Sequence, residues 1–157
     1  MYPNDIIITA DPKGHFAEGI IDGTPLPGTF VQLKAGVAPD GNGRHTYEPY
    51  NGTDGAKTAK ILLLPDYNQG KGESDAYETG KRCFLYWPLP GDELRLLFKN
   101  LTGTGSGTDD DVKVGDNLSM TDDGLVEKAG AVDMFVAVSL ENVGPLLADT
   151  LVHCQVL

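Results

Sequence analysis

Few side chains in this sequence are spaced for chemistry. The three histidines, His15, His45 and His153, are far apart, and none stands at helical or hairpin spacing from another His, a Cys or a carboxylate, as a zinc site requires. Cys83 and Cys154 have no CxxC neighbour. Each falls in a predicted strand among apolar residues, so both read as buried free thiols. A disulfide between them needs close Cα atoms, which spacing alone leaves open. Asp109-Asp110-Asp111 offers the oxygens calcium takes, but it breaks the EF-hand spacing and lacks a bidentate Glu at the right offset. It reads as a solvated acidic loop. Gly70-Lys71-Gly72 imitates a phosphate loop, yet Pro65 stands at the earlier glycine position and Gly72 at the hydroxyl position. No GxSxG elbow is present and no nucleophile sits beside a base. The expectation is no catalytic residue, no metal ligand and no cofactor. A small metal-dependent hydrolase built on Asp109–Asp111 and a histidine is the weakest of three readings.

The elements around these residues are strands. Val114–Lys128 reads as strand, turn, strand: Leu118 and Met120 alternate with Asn117, Ser119 and Thr121, and Asp122-Asp123-Gly124 supplies the positive-φ residue of a tight hairpin. Further strands are predicted at Thr29–Lys34, Ile61–Leu64, Lys81–Pro88, Met134–Glu141 and Thr150–Leu157. Glu93–Lys99 places Leu94, Leu96 and Phe98 on one face of a strand, with a short helix left open. Twenty glycines and ten prolines favour many turns over long helices. The expected fold is all-β, a small barrel or sandwich of short antiparallel strands. Three strands start after a turn glycine, at Gly28-Thr29, Gly80-Lys81 and Gly115-Asp116. Shared turn chemistry explains this as well as duplication does.

Two regions are irregular. Met1–Asp22 is broken by Pro3 and Pro12 and reads as an extended N-terminal arm, with residues 23–157 as the barrel or sandwich domain. Ala35–Lys60, rich in Gly, Pro and Asn, reads as a long loop of the kind that often carries function. The candidate partner contacts are Tyr2, Ile6, Ile7, Ile8 and Phe16 in the arm, and Tyr47 and Tyr50 in the loop. Ile6–Ile8 could add a strand to a partner's sheet edge.

Charge narrows the partners. At 157 residues and net charge −11, the chain is long enough for one domain with a core. Its acidity disfavours nucleic acid and anionic membranes. No run approaches the about 20 apolar residues of a membrane helix. The first residues lack the basic and apolar regions of a signal peptide, so synthesis in the cytoplasm is expected.

The blocks Asp75–Arg82 (DAYETGKR) and Tyr86–Glu93 (YWPLPGDE) resemble a module of the capsid decoration, or cement, proteins of tailed bacteriophages. The downstream segments come in a similar order too: Val114–Leu118, Asp123–Val126, Phe135–Glu141 and Asp149–Val152, with Gly23–Leu33 (GTPLPGTFVQL) at the start of the module. The resemblance covers most of Gly23–Leu157. It implies a virion protein on the outer surface of an icosahedral shell, bound to the major capsid protein as a homotrimer or dimer, that cements neighbouring subunits against packaged DNA. It carries no catalytic residues. The competing reading is a carbohydrate-binding adhesin that holds sugars on Tyr47, Tyr50, Trp87 and the polar loops. Trp87 lies in an alternating strand, where core packing is the simpler role.

Overall fold

Short apolar-alternating stretches, stopped by glycine and proline, form eleven strands and one 3-10 turn among the described residues. The computed structural model describes residues 6–9, 15–51, 61–99, 111–129, 135–144 and 148–157. The strands are β1 (Ile7–Thr9), β2 (His15–Ile21), β3 (Phe30–Leu33), β4 (Thr46–Pro49), β5 (Ile61–Leu64), β6 (Arg82–Trp87), β7 (Glu93–Phe98), β8 (Asn117–Met120), β9 (Val126–Lys128), β10 (Phe135–Ser139) and β11 (Thr150–Val156). The protein is all-β, as its alternation predicts.

The strands close into two barrels. The first is β2-β6-β5-β3-β4, closed by a parallel β4–β2 pairing; the second is β7-β11-β10-β8-β9, closed by a parallel β9–β7 pairing, with β1 added alongside β7. Numbered within each barrel, the strand order is the same. The register is the same as well. Ile21 pairs with Tyr47 and Leu33 with Tyr47 in the first barrel; Phe98 pairs with Val126 and Met120 with Val126 in the second. Val31 faces Ile61 as Leu118 faces Ala137, and Leu63 faces Leu85 as Ser139 faces Cys154. Ala17 pairs with Leu85 as Leu94 pairs with Cys154, which completes each ring.

Backbone bonds outside the ladders repeat in step. The Gly28 N–H donates to the Leu63 carbonyl at 2.9 Å and the Gly115 N–H to the Ser139 carbonyl at 2.9 Å. Asp22 N–H donates to Tyr47 O at 2.7 Å, and Lys99 N–H to Val126 O at 2.9 Å. Two of the three turn glycines of the sequence, Gly28 and Gly115, therefore hold one position in a repeated unit. Gly80 holds another, ahead of the first barrel's last strand.

The inward faces form the cores. Ile21, Val31, Tyr47, Ile61, Leu63, Cys83 and Leu85 are buried in the first barrel. Their register counterparts in the second, Phe98, Leu118, Val126, Ala137, Ser139, Val152 and Cys154, are all buried too. The first barrel's outward Phe30, Leu62 and Tyr86 join Tyr50, Ile6 and the second barrel's interior in one larger apolar cluster. Main-chain bonds fasten the two: Phe30 N–H donates to Gly124 O at 2.7 Å and Leu97 N–H to Gly28 O at 3.0 Å. Gly124 has φ +80, and a Cβ there would lie 2.1 Å from the Phe30 carbonyl oxygen, so only glycine fits this junction.

The segment expected as an arm is drawn into both barrels. Its residues 15–21 are a barrel strand that pairs along its length with β6, and residues 7–9 lie along β7. Gly19 permits this: a Cβ there would sit 2.6 Å from the Tyr47 ring. The expected loop of residues 35–60 holds β4, which closes the first barrel.

Candidate interaction surface

Register decides which of the expected contact residues reach the surface. Ile6 is 1% exposed and its carbonyl accepts the Arg95 N–H at 2.7 Å, so it is a core residue between strands. Ile7 packs half-buried against the same cluster, and Ile8 contributes backbone to β1. Tyr47 points into the first barrel at 8% exposure, and Tyr50 lies in the shared cluster at 4%. Burial of both rings removes them as free contact or sugar-stacking surfaces. Trp87 packs edge-on against Tyr47 at 6.4 Å and His15 at 5.1 Å. Tyr2 lies outside the described residues. Among those of the seven whose side chains are described, Phe16 stands open, at 57% exposure.

Phe16 belongs to a patch that sequence reading did not single out. It lies on the outer face of β2, with its ring 4.7 Å from the buried Tyr86 ring. Beside it runs an apolar groove of about 180 Å³, lined by Phe16, Leu64, Pro65, Tyr67 and Phe84 among others. Tyr67 is 54% exposed. The Arg82 guanidinium lies over the Phe84 ring, 5.1 Å from its centre, a cation–π arrangement. Residues at these places are free to be polar, as the second barrel demonstrates. Its counterparts of Phe16 and Phe84 are Glu93 and His153, joined at 3.1 Å.

A polar cavity adjoins the groove across one ridge. The 3-10 turn Tyr67–Gln69 is that ridge: Tyr67 and Asn68 line the groove, while Asp66 and Gln69 line a cavity of about 250 Å³. Gly70, in the left-handed conformation at φ +70, ends the turn. The Asp66 carbonyl accepts both the Gln69 and Lys71 N–H groups at 3.1 Å. The Tyr77 hydroxyl donates to the Leu64 carbonyl at 2.7 Å, and burial raises the phenol above its ordinary range. Asp75 and Glu78 carry the cavity's other carboxylates, and Lys71, Lys81 and Arg82 its cations. Among the described residues no group of three or more His, Cys, Asp and Glu is placed to hold a metal ion.

The two thiols sit apart from this surface. Cys83 lies in the first barrel's core and Cys154 in the shared cluster, both free and wholly buried. Burial pushes each up to about 12, so both are protonated and unreactive at neutral pH.

Comparison with known proteins finds a likeness among solved structures. No protein-family model matches the chain, and no curated protein does. Among solved structures, the chain is similar to the head fiber gp8.5 N base in bacteriophage phi29, with a TM-score of 0.56 at 10% identity. The likeness covers 92% of this chain and 94% of that one, so residues of both barrels take part. At this identity it is a likeness of fold.

Proposed function

We propose that the chain is a structural module of a phage virion, attached to the outside of the head. The observation that carries this reading is the full-length fold likeness to a phage head fiber base, taken with the motif order that resembles capsid decoration proteins. In the finer form of the proposal, the module binds the major capsid protein as a homotrimer and bridges neighbouring subunits against internal DNA pressure. Its work is binding rather than catalysis. The net charge of −11 suits a protein outside the shell, away from the genome. The groove at Phe16 and Tyr67, with the cavity beside it, supplies a docking face, and three linked copies would multiply weak contacts through avidity.

The carbohydrate-binding reading rests on Tyr47, Tyr50, Trp87 and the polar loops, and the burial of both tyrosines removes two of its three candidate rings. Cryo-electron microscopy of heads from the phage that encodes the chain tests the proposal. The expected result is paired-barrel density on the outer surface, contacting capsid subunits around a local axis. Heads that contain the chain only inside the shell, or not at all, would sink it.

A further inference from the structure

We infer that the free edge of β2, at Phe16–Glu18, receives an extended segment of the protein on which the module docks, added antiparallel as a further strand. The inference rests on the docking reading above and names the form of one contact within it. Backbone groups along a strand point alternately to its two edges. On β2 the Ile21 N–H donates to Lys81 O at 3.0 Å, on the side of β6, whereas the Ile20 and Asp22 N–H groups donate the other way, to His45 O at 2.9 Å and Tyr47 O at 2.7 Å. By that alternation Phe16 and Glu18 also turn their N–H and carbonyl groups away from β6. β4 pairs with β2 only at Ile20 and Ile21, and among the described residues no backbone bond reaches Phe16 or Glu18 from that side. Both residues are exposed.

In the second barrel the matching edge is filled. Glu18 is the counterpart of Arg95, and Ile20 and Asp22 are those of Leu97 and Lys99. Leu97 N–H donates to Gly28 O at 3.0 Å and Lys99 N–H to Val126 O at 2.9 Å, while Arg95 N–H donates to Ile6 O at 2.7 Å. There β1 lies antiparallel on β7, with Ile7 opposite Leu94 and Thr9 opposite Glu93. Each barrel thus has a place for an added strand, and the chain itself fills one of them. Main-chain bonds give such an addition its affinity, and side-chain neighbours give it choice. The counterpart of Thr9 would lie across from the open Phe16 ring instead of Glu93, so the incoming segment carries an apolar residue there. The β2 of a second copy fits this edge poorly. The register that uses every free group sets Phe16 against Glu18, and such self-pairing gives a dimer rather than the proposed trimer.

The test titrates the full chain with a peptide of the sequence around β1, residues 4–10 (NDIIITA), capped at both ends and extended by two lysines for solubility. A copy methylated on its three isoleucine nitrogens is the control, because it cannot form a ladder. Amide shifts are followed by NMR. Saturable shifts centred on residues 15–20, from the unmethylated peptide alone, are expected, with binding about tenfold weaker in Glu18→Pro. Proline removes the free donor and spares the ladder to β6, because the nitrogen at that position faces the open edge. No saturable shift, equal shifts with the methylated copy, shifts confined to residues 93–95, full affinity in Glu18→Pro, or a wild-type dimer in light scattering that Glu18→Pro abolishes would overturn the inference. Should Glu18→Pro fail to fold, the two peptides on wild type decide alone. Head binding separates the two levels: heads that take up wild type and folded Glu18→Pro equally contradict this inference and leave the docking reading standing. Peptide binding at β2, in a protein that ignores heads, keeps the strand-accepting edge and removes the docking reading.

Discussion

Leu62 and Val138 hold the same place in the same ring, one in each barrel. Leu62 is wholly buried, whereas Val138 is only partly buried. The contrast extends along that face. Phe30, Leu62 and Tyr86 in the first barrel answer to Asn117, Val138 and Gln155 in the second, and Phe16 and Phe84 to Glu93 and His153. Interior positions stay buried in both, because closing a five-stranded ring leaves no alternative. Outward positions differ because each barrel's outer face has its own neighbour. The first barrel's is apolar in two parts. One part is covered by the second barrel; the other, at Phe16, is open. The second barrel's matching face is polar, as expected of a face with no apolar partner.

The sharpest way to break this contrast is to truncate the matched pair. Leu62→Ala should cost about 2–5 kcal/mol, whereas Val138→Ala should cost less than about 1 kcal/mol, as a partly solvated site does. Urea unfolding of both variants checks it, and equal costs would show that the two faces are not differently covered. The junction itself is probed at glycine. Gly124→Ala forces a Cβ against the Phe30 carbonyl at positive φ and should cost about 3 kcal/mol. Gly36→Ala, also at positive φ but with nothing within 4 Å, should cost about 1 kcal/mol. A junction that yields easily would bring the two melting temperatures together.

A smaller effect is expected at the hydrogen bond between the Tyr86 hydroxyl and the buried Asp92 carboxylate. Asp92 Oδ2 also accepts the Leu89 N–H at 2.8 Å, so Tyr86→Phe should cost only about 1.5 kcal/mol in urea unfolding. The thiols report whether the barrels open together. Cys83 and Cys154 should react with a thiol reagent at one common rate, because both barrels share a cluster; separate rates would mean independent opening. Their raised folded pKa also sets a sign. The stability they confer is complete below the unfolded value of about 8.5 and is lost as pH rises toward about 12. Alkaline titration of the urea midpoint should therefore fall. Smallest of all in stability is Phe16→Glu, which copies Glu93 of the second barrel. It should change unfolding by less than about 0.5 kcal/mol.

The strands were legible because alternation and turn glycines report them directly. Cys83, Leu85 and Trp87 on one face of β6, and Leu94, Leu96 and Phe98 on one face of β7, come directly from period two. The repeat was not legible. Its equivalent core positions carry different residue types, such as Leu63 with Ser139 and Tyr47 with Val126, and its second and third strands are joined by a long segment in one barrel and by a tight hairpin in the other. β4 was hidden inside a Gly- and Pro-rich stretch because Thr46–Pro49 is short and ends in proline. For the interaction surface, exposed aromatic side chains cannot be told from buried ones by type. Tyr47, Tyr50 and Phe16 look alike in sequence, and only the closing of the first barrel separates them. Asp66 beside Pro65 carried no signal at all, since its burial comes from the fold around it.

Co-sedimentation of the purified chain with emptied, expanded phage heads, wild type beside Phe16→Glu, addresses the docking role most directly. Wild type should pellet with the heads, and Phe16→Glu, folded to the same stability, should stay in the supernatant. Wild type left in the supernatant would contradict a head-bound role. Phe16→Glu pelleting as well as wild type would show that the open apolar face of the first barrel is not where the module attaches.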